Sequence, residues 1–247
     1  MIYTLSTIIK SLPAKKNSKS SLWVKLVVRK VSFLFTFVFI NCGCSAWGAS
    51  IISIFVAVVG CAFLGLNSTL FRFFGVVLIE IWLVLDCVDG NIARVKKTSS
   101  EMGEFIDALS GYYITGFVYL FVGVAAFNTT SLFHEYALWM LILGAISTVA
   151  GLLSRIIHQK YTYSMMVINE RKGTTKNELP ENEVENKKSL EHLRSRLDKE
   201  LGISGLFMPF LIVALIFNLF DILTIFYFLF HCAGLMAVTV YYAFKAR

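Results

Sequence analysis

The chain has 247 residues, of which 57% are hydrophobic and only 16% charged, with a mean hydropathy of +0.70. Charged residues make up about a quarter of a soluble domain, so this composition excludes an ordinary soluble enzyme and points to an integral membrane protein. The net charge of +7 would suggest a nucleic-acid partner in a soluble protein, but in a membrane chain the placement of the cations sets orientation, and no nucleic acid is expected.

In chain order, residues 1–20 form a basic, Ser/Lys-rich lead without the apolar core and cleavage site of a signal peptide, and are expected to stay on the protein. Residues 21–41 carry Lys25, Arg29 and Lys30 ahead of the short apolar run VSFLFTFVFI, which predicts an amphipathic helix at the interface. A bilayer core takes about 20 apolar residues to cross. Runs near that length fall at 47–66, 69–88, 104–127, 133–157, 203–219 and 221–243. The expected fold is therefore an all-α membrane protein with six transmembrane helices behind an N-terminal interfacial helix. Four regions follow: 1–41 (lead and interfacial helix), 42–162 (four spans), 163–202 (a polar excursion) and 203–247 (two spans). In the excursion, Leu190, Leu193, Leu197 and Leu201 recur at helical spacing, which predicts a surface helix. With both ends inside, every lysine and arginine except Arg72 lies on one side, which the positive-inside rule makes the cytoplasm.

Five dispersed cysteines, Cys42, Cys44, Cys61, Cys87 and Cys232, show no zinc-binding pairing and read as ordinary residues in a reducing compartment. The sequons at Asn67 and Asn128 fall on the outer side and decide nothing. Glu80, inside the second span, is expensive in lipid and is expected to hold a hydrogen bond between helices. His231, in the last span, reads as a packing residue.

The informative stretch is LDCVDGNIARVKKTSSEMGEFIDALSGY, residues 85–112. A carboxylate near a membrane costs several kcal/mol unless it is paired, hydrated or cation-bound, so such acids are functional candidates. Asp86 and Asp89 lie three apart on one helical face, which Gly90 and Ala93 continue with little bulk. On the next helix Gly103, Asp107 and Gly111 are spaced by four, so that an acid stands between two glycines. Three convergent carboxylates suit a hard divalent cation such as Mg²⁺ or Mn²⁺, which takes oxygen ligands and leaves room for phosphate. The substrate implied is an activated phosphate at the membrane surface.

The two blocks DCVDGNIAR and GEFIDALSG, eight residues apart, resemble the signature of the CDP-alcohol phosphotransferase family, D-x-x-D-G-x-x-A-R, eight residues, G-x-x-x-D-x-x-x-D. Asp86, Asp89, Gly90, Ala93, Arg94, Gly103 and Asp107 match in register; the last position is Gly111 in place of aspartate. The resemblance implies transfer of a substituted phosphate from a CDP-linked donor, CDP-diacylglycerol or another CDP-alcohol, to a small alcohol or sugar-phosphate acceptor, with CMP released. It makes Asp86, Asp89 and Asp107 the metal ligands and assigns Gly90, Ala93, Arg94 and Gly103 to the nucleotide. Arg155 and Lys160, with the space left by Gly111, would receive the acceptor. In the family the missing aspartate is the base, so Glu104, on the same helix face as Asp107, and His158, at the end of the fourth span, are the replacement candidates. The alternatives are a metal-activated or already anionic acceptor, or a CDP-lipid-binding or scaffold protein without turnover. A transporter would show paired broken helices near the midplane, which this pattern lacks. Membrane lipids surround the protein, and small residues on the spans allow a homodimer.

Overall fold

The computed structural model describes residues 3–13, 20–129, 134–171, 196 and 199–245. Among these the protein is helical, without a strand. Of the predicted leucine stripe, Leu190, Leu193 and Leu197 lie outside the described residues. The helices among the described residues are numbered, in order, α1 (Leu5–Lys10), α2 (Arg29–Asn41), α3 (Ala46–Leu64), α4 (Thr69–Lys96), α5 (Glu101–Thr129), α6 (Ala137–Arg171), α7 (Met208–Phe217) and α8 (Phe220–Lys245). A π turn, Val24–Val28, leads into α2, and another, Ile203–Phe207, leads into α7.

Among the described residues, five helical stretches are long and apolar enough to cross a membrane: Ala46–Leu64, Glu101–Thr129, Ala137–Arg171, Lys199–Phe217 and Phe220–Lys245. The sixth expected span falls in α4, which has the length but also carries Arg72, Glu80, Asp86 and Asp89. These charges are accommodated locally. Arg72 is buried and donates to the Leu66 carbonyl at 3.3 Å and to Thr69 Oγ1 at 3.4 Å. Glu80 accepts the Trp23 indole N–H at 3.0 Å, the interhelical hydrogen bond expected of it.

The N-terminal helix has an unexpected polarity. α2 buries Arg29, Ser32 and Thr36, while Leu34, Phe37 and Val38 are exposed, as are Leu22 and Leu26 before it. Its polar face looks inward and its apolar face outward, the reverse of a helix floating on water. Asn91 of α4 explains this: its Nδ2 donates to Thr36 Oγ1 at 3.0 Å and to Ser32 Oγ at 3.4 Å. Since Trp23 meets Glu80 and Thr36 meets Asn91, α2 runs alongside α4 in the same direction.

α3 packs between α4 and α5. Its contact with α4 is backbone on backbone: a Cβ added to Gly75 would lie 2.5 Å from Leu64 N and 2.8 Å from Gly60 O. Backbone atoms cannot swing aside, so Gly75→Ala is expected to cost about 3 kcal/mol, the upper end of overpacking penalties. Thermal unfolding in detergent reads this out; an unchanged midpoint would mean that the two helices are free to separate. Ser110 of α5 ties three helices together, sharing a 2.8 Å hydrogen bond with Ser53 of α3 and accepting the Trp82 indole N–H of α4 at 2.9 Å.

α6 continues to Arg171, well past the hydropathic end expected near 157, so helix runs on into the predicted polar excursion. Beyond it, the expected span at 203–219 is broken near its start. Gly205 has non-helical φ/ψ of −114° and −124°, and its missing Cβ would overlap the Glu200 carbonyl. This turn is fastened on two sides: Ser204 O accepts from Ser21 Oγ, and Leu201 O accepts from Tyr227 Oη at 2.8 Å.

Candidate functional site

The motif helices α4 and α5 are joined by only four residues. α4 ends where Lys97 takes a left-handed conformation (φ 55°), with the Thr98 N–H returned to Ala93 O at 2.9 Å. α5 then starts with Ser100 accepting from the Gly103 N–H at 3.1 Å and with Glu101 and Glu104 in its first turn, where carboxylates complement the exposed amides. The reversal brings Asp86 on α4 and Gly111 on α5 to one cavity of about 350 Å³.

The cavity lies between α4, α5, α6 and α8 and is closed by the turn at Gly202, Ile203 and Ser204. Its polar lining includes Asp86, Thr115, Ser154, Arg155 and His158, over an apolar floor with Leu83, Ile114 and Val238. Arg155 is fixed by its own hydrogen bonds: Nη1 donates to Gly111 O at 2.8 Å and to Thr115 Oγ1 at 3.0 Å, and the guanidinium lies 5.4 Å from the Tyr112 ring centroid. A Cβ at position 111 would stand 3.5 Å from Arg155 Nη1 and 3.7 Å from Nη2. The place where a fourth aspartate would project is thus bordered by a cation. His158 is oriented by a short hydrogen bond between Nδ1 and the Tyr242 hydroxyl, and Tyr242 stacks on Tyr161 at 4.4 Å.

The other predicted residues sit apart from this lining. Asp89 is buried against α3, where Ser50 Oγ donates to its Oδ2 at 2.5 Å. Arg94 donates to Asn91 Oδ1 at 2.5 Å, joining the α2 contact. Gly90 and Ala93 are half-buried on α4, and Gly103, Glu104 and Asp107 are exposed on α5. Lys160 lines a separate recess between α6 and α8. Among the described residues no three His, Cys, Asp or Glu side chains are gathered closely enough to hold a metal ion. The donor set nevertheless fits a hard divalent cation in kind. It consists of carboxylate oxygens, with Asp86 opening to the cavity and Asp107 one helical turn before Gly111 on the facing wall.

Sequence reasoning missed Thr115, Ser154 and Tyr119 in the lining, together with the closing turn. Thr115 was within reach, since it lies four residues after Gly111 and shares its face. His231, read as packing, does pack: its ring meets Tyr119 at 4.4 Å and Phe230 at 5.2 Å while it also borders the cavity.

No curated protein matches the chain. A family model does, over residues 22–179, from the entry to α2 through the motif helices and α6; its description is CDP-alcohol phosphatidyltransferase. That family comprises transferases of phospholipid biosynthesis in membranes, which agrees with the apolar helices and with an activated-phosphate substrate. With the match covering more than half of the chain and including both motif blocks, the protein belongs to the CDP-alcohol phosphatidyltransferase family.

Proposed function

We propose that the protein transfers a phosphatidyl group from CDP-diacylglycerol to a small alcohol that carries an anionic group, releasing CMP at the cytoplasmic face of the membrane. The observation that carries this reading is the meeting of Asp86, Arg155 and His158 in one cavity beside the open space at Gly111. Asp86, Asp89 and Asp107 would hold Mg²⁺ or Mn²⁺, which neutralises charge on the donor diphosphate. Arg155 spends Nη1 on Gly111 and Thr115 and keeps further N–H donors for the acceptor's anion. In the tautomer that donates Nδ1–H to the Tyr242 hydroxyl, His158 carries its lone pair on Nε2, ready to take the acceptor hydroxyl proton. The freed oxygen attacks the lipid-bearing phosphorus, and the bond from that phosphorus to CMP breaks. Gly90 and Ala93, with Gly103, leave room for the nucleotide to approach the helix backbones.

Purified protein with CDP-diacylglycerol and Mg²⁺, offered a panel of alcohols and sugar phosphates, should release CMP with at least one acceptor. Release from no member of the panel, with donor still bound, would favour the second reading, a CDP-lipid-binding protein without turnover. Gly111 itself motivates that reading, since a cation stands where the family has its carboxylate.

Gly111→Asp probes the same point. The new side chain, whose Cβ would stand 3.5 Å from Arg155 Nη1, would pair its carboxylate with the guanidinium and withdraw it from the acceptor. The expected result is an acceptor KM raised about tenfold, in line with losing one charge-assisted hydrogen bond, with kcat little changed. A raised kcat would instead show that a carboxylate at 111 is the preferred base, and an unchanged KM would remove Arg155 from acceptor binding.

A further inference from the structure

A second recess, of about 560 Å³, lies beside the first cavity and is divided from it by the hydrogen-bonded pair His158 and Tyr242. One wall is α6 from Ile156 to Ile168; the other is the end of α8 at Tyr242 and Lys245. The lining is mainly apolar, through Ile156, Ile157, Met165 and Ile168, yet each wall brings one amine, Lys160 and Lys245, and no acidic side chain is among the described residues of the lining. Both amines lie against aromatic rings. Lys160 Nζ is 5.4 Å from the Tyr163 centroid, and Lys245 Nζ is 5.4 Å from that of Tyr161 and 5.2 Å from that of Tyr241.

The depth of the recess follows from helix length. A span of about 20 residues crosses the hydrocarbon, and α6 starts at Ala137 while α8 starts at Phe220. Both helices therefore leave the hydrocarbon where the recess begins, with Ile156 and Ile157 at chain level and Lys160 and Lys245 among the headgroups. Tyrosines at this level match the amphipathic belt that marks a membrane boundary.

We propose that this recess binds one anionic membrane phospholipid, with its phosphate between Lys160 and Lys245 and the first part of an acyl chain along Ile156 and Ile157. Charge complementarity selects this occupant. A zwitterionic lipid would bring a third cation to two lysines, and a free phosphate would leave the apolar wall uncovered. The volume is of the size that ligand pockets have, about 300–1,000 Å³. The bound lipid touches Tyr242, and through its hydroxyl stands one side chain from His158. Lys160, predicted from sequence to receive the acceptor, is by this account a lipid ligand.

The test is native mass spectrometry of the full chain released from micelles containing equal phosphatidylglycerol and phosphatidylcholine. Phosphatidylglycerol should be retained in preference. Lys160→Gln and Lys245→Gln should each cut that preference about fivefold, the effect of one lysine near an anionic surface, and together abolish it. Ile157→Trp, which fills the recess and keeps both charges, should also abolish it. Equal retention of the two lipids, or a preference that survives the double lysine variant or Ile157→Trp, overturns the proposal. Ser154→Phe, which fills the first cavity and keeps both lysines, should retain phosphatidylglycerol as the parent protein does. Loss of retention there would place the lipid in the first cavity and overturn this assignment, whether or not the protein proves to be an active transferase.

Discussion

Asp86→Asn is expected to lower CMP release from CDP-diacylglycerol by about a thousandfold or more. Asp86 is the motif carboxylate that lines the cavity, whereas Asp89 is buried against Ser50. An amide keeps the shape and removes the charge on which the proposed divalent cation would depend. Metal neutralisation of a phosphoryl oxygen is worth several kcal/mol, and each ~1.4 kcal/mol is a factor of ten in rate. The measurement is CMP formation over a Mg²⁺ titration. A variant that regains full rate at high Mg²⁺ would make Asp86 a contributor to affinity alone, and one with the parent rate at every concentration would remove it from the metal site.

His158→Ala is expected to reduce kcat by 10² to 10⁴, the usual effect of deleting a general base. Glu104→Gln should stay within about twofold of the parent rate, because Glu104 is exposed near the start of α5 and does not line the cavity. From Glu104 to Gly111 the helix rises about 10 Å, too far for direct proton transfer at position 111. Tyr242→Phe should fall between the two, since it keeps the imidazole but frees its orientation. Parallel kcat values for the four proteins decide the matter. A large loss in the Glu104 variant with a small one in the His158 variant would reverse the assignment.

Much of the architecture was legible in the sequence because the bilayer imposes one length and one polarity on every span. The motif spacing likewise placed Asp86 and Gly111 on facing helices, since a short linker after a helix leaves little choice. What could not be read has definable causes. Hydropathy marks where a helix leaves lipid, whereas backbone hydrogen bonds continue in water, so α6 outruns its expected end, and two residues past His158 the helical rotation turns Lys160 to another face than the cavity. Periodicity gave α2 two faces but not which face is solvated, because Ser32 and Thr36 have their partner, Asn91, far along the chain. The choice between Glu104 and His158 likewise depends on which helices enclose the space at Gly111, a long-range fact that no local spacing encodes.

The inverted face of α2 has a consequence for biogenesis. Ser32 and Thr36 donate to carbonyls of their own helix, at 2.9 and 2.6 Å, but the Asn91 amide that reaches their oxygens from α4 is synthesised more than fifty positions later. Final seating of α2 is therefore expected to follow that of α3 and α4, so that the first helix to leave the ribosome in this region is not the first to reach its final place. Nascent chains truncated before Asn91 should leave α2 extractable by alkaline carbonate, while chains continuing through α5 should hold it.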